Sequence, residues 1–135
     1  MVSISNNLLK SMSTQINQYF MYGIAVPYKW HKEWEKETGK NFHDTFEEFM
    51  YDSAFSAEIK HKDGIFCLFD GRDGKYIIIG NVLYKTDNDN PFLGDSEPLK
   101  VPEIGEYERA MIEINVERYF GLKGDFHYYF VTHYR

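Results

Sequence analysis

The chain lacks the features that would place it outside a cell or in a membrane. Cys67 is the single cysteine among 135 residues, which excludes an internal disulfide and is typical of a reducing compartment. The first residues lack the basic and apolar regions of a signal peptide. No apolar run reaches the roughly 18 residues that a membrane span needs. We therefore expect a cytoplasmic protein with no membrane partner, folded as a single domain over residues 1–135.

Basic residues are also in the minority. The sequence has 15 lysines and arginines against 21 acidic residues, a formal net charge of −6 at pH 7. Affinity for nucleic acids depends largely on neutralising phosphate groups. The densest group of lysines, between Lys29 and Lys40, alternates with glutamates. We predict no direct binding of nucleic acid, and this charge favours a protein partner with a basic surface.

Motifs of catalysis and metal binding are absent or incomplete. The sequence contains no Gly-x-Ser-x-Gly elbow, no phosphate-binding glycine loop and no nucleotide fingerprint. Residues 8–17 resemble the first helix of ferritins, and Glu58 and His61 have the Glu-x-x-His spacing of their di-iron sites. Tyr19, however, stands where that family needs a glutamate. We predict no metal site, no cofactor and no catalytic residue, so a non-enzymatic role is favoured.

Helical spacing of apolar residues recurs in four segments. It predicts a first helix over residues 8–23, a second over 27–37 with Trp30 and Trp34 on one face, and a third from Phe42 to about Lys60. The fourth segment, 106–120, fits both a helix and a strand, and its length and polar start favour a helix. The proposed helical face consists of Tyr107, Ala110, Met111, Ile114 and Arg118.

A β-hairpin is the strongest local signal in the sequence. Residues 65–69 are a short apolar run, 70–74 form a glycine-containing turn, and 76–84 form a second strand that is apolar on both faces and therefore central. Residues 126–134 read as a terminal strand rich in aromatics. We predict an α+β fold in which N-terminal helices pack on a small, mostly antiparallel sheet, with the hairpin at about 65–85 and a further helix at about 106–120.

Aromatic residues are the outlier in composition. Phenylalanine and tyrosine each occur 11 times and tryptophan twice, 18% of the chain. Aromatic side chains are enriched at the centres of protein interfaces. We therefore predict a non-enzymatic, acidic protein-binding module, with some rings facing outward. The predicted contact residues lie in the second and third helices and in the acidic loop 86–98: Tyr28, Trp30, Trp34, Glu47, Glu48, Asp87, Asp89, Phe92, Asp95 and Glu97.

Two alternatives stay open. His127 and His133 lie an even number of residues apart on the terminal strand and share a face with Tyr129. These three residues would line the pocket of a small-molecule-binding protein or an enzyme. The other alternative is a structural subunit whose aromatic surface is buried in a homo-oligomer.

The sequence also resembles small uncharacterised proteins of tailed phages, although it matches no defined family among them. The resemblance is carried by the hairpin segment 70–80, the acidic loop, the helix that follows it and the terminal Thr132-His133-Tyr134-Arg135. It implies an anti-defence or host-takeover protein that works in the host cytoplasm, for example as an inhibitor of a host nucleic-acid enzyme or defence system. It assigns no catalytic residue.

Overall fold

A computed structural model of the chain describes residues 16–52, 58–59, 62–71, 73–86 and 103–134. In chain order, the elements are β1 (Ile16–Pro27), α1 (Lys29–Thr38), α2 (Phe42–Thr45), a 3₁₀ turn (Glu47–Phe49), β2 (Tyr51–Asp52), β3 (Glu58–Ile59), β4 (Ile65–Phe69), β5 (Tyr76–Thr86), α3 (Glu106–Phe120) and β6 (His127–Tyr134). Strands β4, β5, β1 and β6 form, in that order, one antiparallel sheet, and β2 pairs with β3. The predicted α+β fold is confirmed.

The first predicted helix is wrong where the structure describes it. Residues 16–27 form β1, in the interior of the sheet between β5 and β6, and residues 8–15 lie outside the described part of the chain. A strand that is buried on both faces reads as a nearly continuous apolar run, because neither face needs polar residues. In β1, Tyr19 and Met21 are buried on one face, and Tyr22 and Ile24 on the other. Such a run also contains apolar residues three and four positions apart. Because this spacing is typical of a helix, the sequence predicts one here.

The third predicted helix is much shorter than expected. It begins at Phe42, where the Asn41 side chain accepts a hydrogen bond from the backbone N–H of Asp44 at 2.9 Å, and α2 ends at Thr45. After the 3₁₀ turn, Tyr51 pairs with Ile59 in an antiparallel ladder. Residues 42–46, with sequence Phe-His-Asp-Thr-Phe, are all weak helix formers, so packing and strand pairing decide the conformation. Because Glu58 lies in β3, it does not have the helical environment of a ferritin ligand.

The remaining elements follow the sequence prediction closely. Helix α1 ends at Thr38 and α3 ends at Phe120. The glycines that follow them, Gly39 and Gly121, take the left-handed conformation with φ of 71° and 68°. The predicted hairpin is the antiparallel pair β4–β5, and β5 lies inside the sheet as its apolar faces required. Residues 106–120 are a helix, not a strand.

The core has two layers, one on each face of the sheet. On the first face, the α3 residues Ile112, Val116 and Phe120 pack over β-strand residues such as Ile77 and Ile79 and against the aromatic rings of residues 42–49. The buried residues of the second face are Tyr19, Met21, Phe66, Leu68, Ile78 and Val131, all of them in sheet strands. Strand β5 contributes alternate side chains to both layers.

Candidate functional site

The exposed large hydrophobic side chains of the described residues all lie on two elements. On α3 they are Tyr107, Met111 and Ile114, and on β6 they are Tyr128 and Phe130, with exposed fractions of 77, 38, 55, 42 and 56% in that order. Scattered apolar residues on a surface are ordinary, whereas a concentration on two elements is a candidate contact surface.

Helix α3 exposes this stripe because it is apolar on two opposite sides. Ile112, Val116 and Phe120 recur every four residues and face the core. Tyr107, Met111 and Ile114 recur at four and three residues on the opposite side of the helix. They belong to the helical face predicted from the sequence, and the structure turns that face toward solvent.

A groove of about 530 Å³ runs beside α3, between the helix and the segment that leads into β6. Ile114 belongs both to the exposed stripe and to the lining of this groove. The other lining residues are Glu106, Arg109, Ala110, Glu113, Glu117, Leu122, Lys123 and Phe126. We call the exposed stripe Tyr107, Met111 and Ile114, together with this groove, the α3 surface.

A series of packed aromatic rings leads from the groove residue Phe126 along β1 and β6. The ring of Tyr22 lies 5.9 Å from that of Phe126 and 5.0 Å from that of Tyr128. Tyr128 in turn stacks on Phe20 at 5.7 Å. These separations are typical of favourable aromatic pairs. These rings pack β1, β6 and the segment before β6 against one another beside the groove.

Two hydrogen bonds join α3 to the tyrosine hydroxyl groups of this ring series. The Tyr22 hydroxyl donates to Glu113 Oε2 at 2.9 Å. The guanidinium of Arg109 donates to Tyr128, and this bond raises the pKa of Arg109 above its ordinary value. Burial, together with the hydrogen bond to Glu113 and its negative charge, raises the pKa of Tyr22 to about 12. Tyr22 is therefore a neutral hydrogen-bond donor throughout the physiological pH range.

The substitution Tyr22→Phe tests this bond through its pH dependence. Near pH 8 we expect a loss of about 1 kcal/mol in the free energy of unfolding, because one partly buried hydrogen bond is removed. The raised pKa means that the stabilisation is complete below the ordinary tyrosine pKa of 10.0 and is lost as the pH rises toward about 12. Urea unfolding of both proteins should therefore show a difference that shrinks above about pH 10. A difference that stays constant across that range would contradict the assigned bond.

Acidic groups predominate along the groove. Glu106, Glu113 and Glu117 line it, against Arg109 and Lys123. The Lys123 ammonium lies 3.2 Å from Glu117, and Arg109 is engaged by Tyr128, so both cations already have partners within the chain. With three carboxylates against two cations, the groove that borders the stripe has a net charge of −1, which attracts positive charge.

The predicted tryptophan patch is partly used in core packing. Trp30 and Trp34 are half-buried, with rings 5.4 and 5.3 Å from the ring of Phe42. Tyr28 is half-buried against Phe69. The edges that remain exposed still permit a contact role for these three residues, which stays a prediction.

The predicted acidic contacts divide into two groups. Glu47 and Glu48 are exposed on the 3₁₀ turn, and Glu48 forms an ion pair with Lys62 at 3.1 Å. The loop residues Asp87, Asp89, Phe92, Asp95 and Glu97 lie outside the described part of the chain.

The alternative ligand site on β6 is only partly described. His127 is exposed and its ring lies 6.1 Å from that of half-buried Tyr129, on the sheet face opposite the α3 surface. The side chain of His133 lies outside the described part of the chain. Across the described residues, no group of three or more histidine, cysteine, aspartate or glutamate side chains is placed to hold a metal ion. Burial raises the pKa of the Cys67 thiol well above its ordinary value, which makes it unreactive.

Sequence reasoning missed the α3 surface as a site, although its signal was present. Residues 106–120 carry apolar side chains on two sides of a helix that has too many charged residues to be buried all round. A helix of this kind has one apolar side for the core and another that needs a different explanation.

Comparison with known proteins gives no further guidance. No protein-family model, curated protein or solved structure matches the chain. Among the described residues, no helix is both long and apolar enough to span a membrane.

Proposed function

We propose that the chain is a non-enzymatic protein-binding module that contacts its partner through the α3 surface. The observation that carries this proposal is the location of the exposed hydrophobic side chains. All five of those described lie on α3 and β6, and three of them form a single stripe along α3. A partner that covered the stripe would remove these side chains from water, at roughly 25 cal/mol for each Å² of apolar area.

The partner is expected to present apolar side chains flanked by lysine or arginine. Its apolar groups would cover Tyr107, Met111 and Ile114, and its cations would lie near Glu106 and Glu113 at the groove. Complementary charge mainly accelerates association and selects the partner, whereas apolar anchors supply most of the affinity. The net charge of −6 steers the chain toward a basic partner from a distance.

A module of this kind works by occupying a surface of a larger protein. If the partner needs that surface for its own activity, the chain is an inhibitor. This is the role that the resemblance to small phage proteins implies, with a nucleic-acid enzyme or a defence protein as the target.

Comparative capture from a lysate of the cell in which the protein works, the host cell for a phage protein, tests the proposal. The double variant Tyr107→Ser/Ile114→Ser removes two anchors, and Glu33→Ser/Lys36→Ser is the matched control, with two exposed α1 residues and no change in net charge. We expect the wild type and the control to retain a partner that the anchor variant binds at least about tenfold more weakly. Moderate salt should weaken capture, because exposed charges are screened. Equal capture by all three proteins would contradict a role for the α3 surface.

A further inference from the structure

We infer that the partner covers the α3 surface with an amphipathic helix that carries lysine or arginine along one side of its apolar stripe, an inference that rests on the proposed function. Three features of α3 support a helix of this kind. The exposed stripe has the spacing of a helix-packing seam, the groove runs along the helix, and the carboxylates of the groove lie in a row.

The exposed stripe of α3 has the spacing by which one helix packs against another. Tyr107 and Ile114 are seven residues apart with Met111 between them. At about 100° per residue, the three side chains fall within about 60° of one another around the helix. Helices pack through rows of side chains three and four residues apart. Exposed Ala110 lies beside the stripe, and its small side chain permits a close approach.

The groove is a trough that follows the axis of α3. Its lining begins at Glu106 in the first turn of the helix and reaches Glu117 in the last turn, and Leu122 and Phe126 of the segment before β6 also line it. Eleven residues of helix rise about 16 Å. A trough of this length suits a rod, because the side-chain ridge of one helix packs into the groove beside another. The flat face of a sheet does not enter it.

The middle of α3 offers a partner side chains and no backbone groups. Its backbone hydrogen bonds run within the helix, up to the N–H of Gly121, which donates to the carbonyl of Glu117 at 2.8 Å. An extended segment laid on this surface would bury backbone groups of its own without hydrogen-bond partners, which is costly. A helix satisfies these groups internally. Of the two common docking modes, an added strand and a helix in a groove, only the second suits α3.

The carboxylates of the groove set the charge of the partner helix. Glu106, Glu113 and Glu117 are seven and four residues apart, and all three line the groove. Around the helix they fall within about 40° of one another. Charged residues that flank the apolar seam between two helices select the partner and its orientation. A partner helix with lysine or arginine at matching spacings would place its cations opposite this row.

The same row disfavours a second copy of the chain as the occupant. In an antiparallel pair of α3 helices, the glutamates of the groove side would face the same glutamates of the other copy. In a parallel pair, they would face the opposite side of the stripe, which carries exposed Glu108. Like charges meet in both arrangements and oppose association. A basic helix of another protein meets no such repulsion, and the net charge of −6 attracts it.

Two synthetic peptides of the same composition test the inference on the full chain. In the first, leucines three and four residues apart form a helical stripe, flanked on one side by lysines seven and four residues apart. In the second, the same leucines and lysines alternate as they would in a strand. Fluorescence anisotropy of labelled peptides should show the first bound at least about tenfold more tightly than the second. Circular dichroism should show that the first becomes helical on binding.

Variants of the chain locate and orient the bound peptide. Tyr107→Ser/Ile114→Ser should weaken binding of the helical peptide at least about tenfold, and the matched α1 control of the capture experiment should bind it as the wild type does. Glu106→Lys/Glu117→Lys should reverse the charge preference, so that a peptide with glutamates at the lysine positions binds more tightly than the lysine peptide. Circular dichroism establishes that each variant is folded. Should the double charge variant fail to fold, Glu106→Lys alone should shift the preference in the same direction.

The outcomes separate this inference from the proposed function. An alternating peptide that binds as tightly as the helical one overturns the inference, as does failure of both peptides to bind. A dimer of the chain that Tyr107→Ser/Ile114→Ser dissociates would make a second copy the occupant and would also overturn it. If partner capture depends on these two anchors while the helical peptide has no advantage, the protein-binding role stands and only the helical form of the partner is wrong.

Discussion

Replacing Phe42 by alanine should lower the free energy of unfolding by about 3–5 kcal/mol, as expected when a buried phenylalanine leaves a cavity in a well-packed core. Phe42 is fully buried at the start of α2. Its ring lies 4.6 Å from Phe46, between 5 and 6 Å from Trp30 and Trp34, and 6.4 Å from Phe120. It therefore links α2 to α1, to Phe46 just before the 3₁₀ turn and to α3, and its loss would leave a cavity among these rings.

Urea unfolding followed by tryptophan fluorescence measures this effect, because Trp30 and Trp34 both contact the lost ring. The matched control is Phe130→Ala, which removes the same atoms from a side chain that is 56% exposed. We expect the control to cost less than about 1 kcal/mol. If the two substitutions cost the same, Phe42 does not have the central position in the core that the structure assigns to it.

Replacing Gly80 by alanine should be at least as disruptive, for a different reason. Gly80 of β5 lies directly opposite Gly23 of β1 in the interior of the sheet. A Cβ atom at position 80 would stand 2.1 Å from the carbonyl oxygen of Tyr22 and 2.5 Å from the Cα of Gly23. Both of these are backbone atoms of a paired strand, so they cannot rotate away. We expect a loss of about 3 kcal/mol or more, the upper end of overpacking effects, with weakened β1–β5 pairing.

Thermal unfolding and amide hydrogen exchange of β1 and β5 measure this second effect. Gly105→Ala is the control, since no atom lies within 4 Å of the added Cβ and the φ of −75° suits alanine. The control should cost about 1 kcal/mol or less, because alanine is a poorer helix N-cap than glycine. A Gly80→Ala protein as stable as the control would mean that β1 and β5 are not paired in the observed register.

The hairpin and α3 could be predicted because their signals are local. A glycine-containing turn between two apolar runs specifies β4–β5, and a polar start with glycine at the end specifies α3. Strand β1 could not be predicted in this way. Its conformation depends on pairing with β5 and β6, which follow it in the chain by about 60 and 110 residues. Its apolar residues also fit more than one periodicity. Pairing with β5 and β6 selects the strand conformation over the helix.

The candidate site was predictable in its chemistry but not in its position. Composition indicated that some aromatic rings face outward, and Tyr107, Tyr128 and Phe130 do so. The sequence predicts Trp30 and Trp34 as contact residues, because it does not show that both rings pack against the buried ring of Phe42. It also does not show which of the two apolar sides of α3 meets the core. Which side of α3 meets the core depends on the sheet, and the sequence pattern predicts a helix where the sheet has its strand β1.

Site-specific photo-crosslinking is the most direct test of the claim that the α3 surface binds a protein partner. A photoreactive phenylalanine is introduced at Tyr107 or at Ile114, and as reference at Glu37 on α1, all of them exposed positions. Irradiation in a lysate of the cell in which the protein works, the host cell for a phage protein, should give one discrete adduct at both α3 positions and none at the reference. The yield of the adduct should fall as salt is added, because exposed charges are screened, but it should not vanish, because apolar anchors supply most of the affinity. Adducts of equal yield at all three positions, or an adduct at Glu37 alone, would contradict the account.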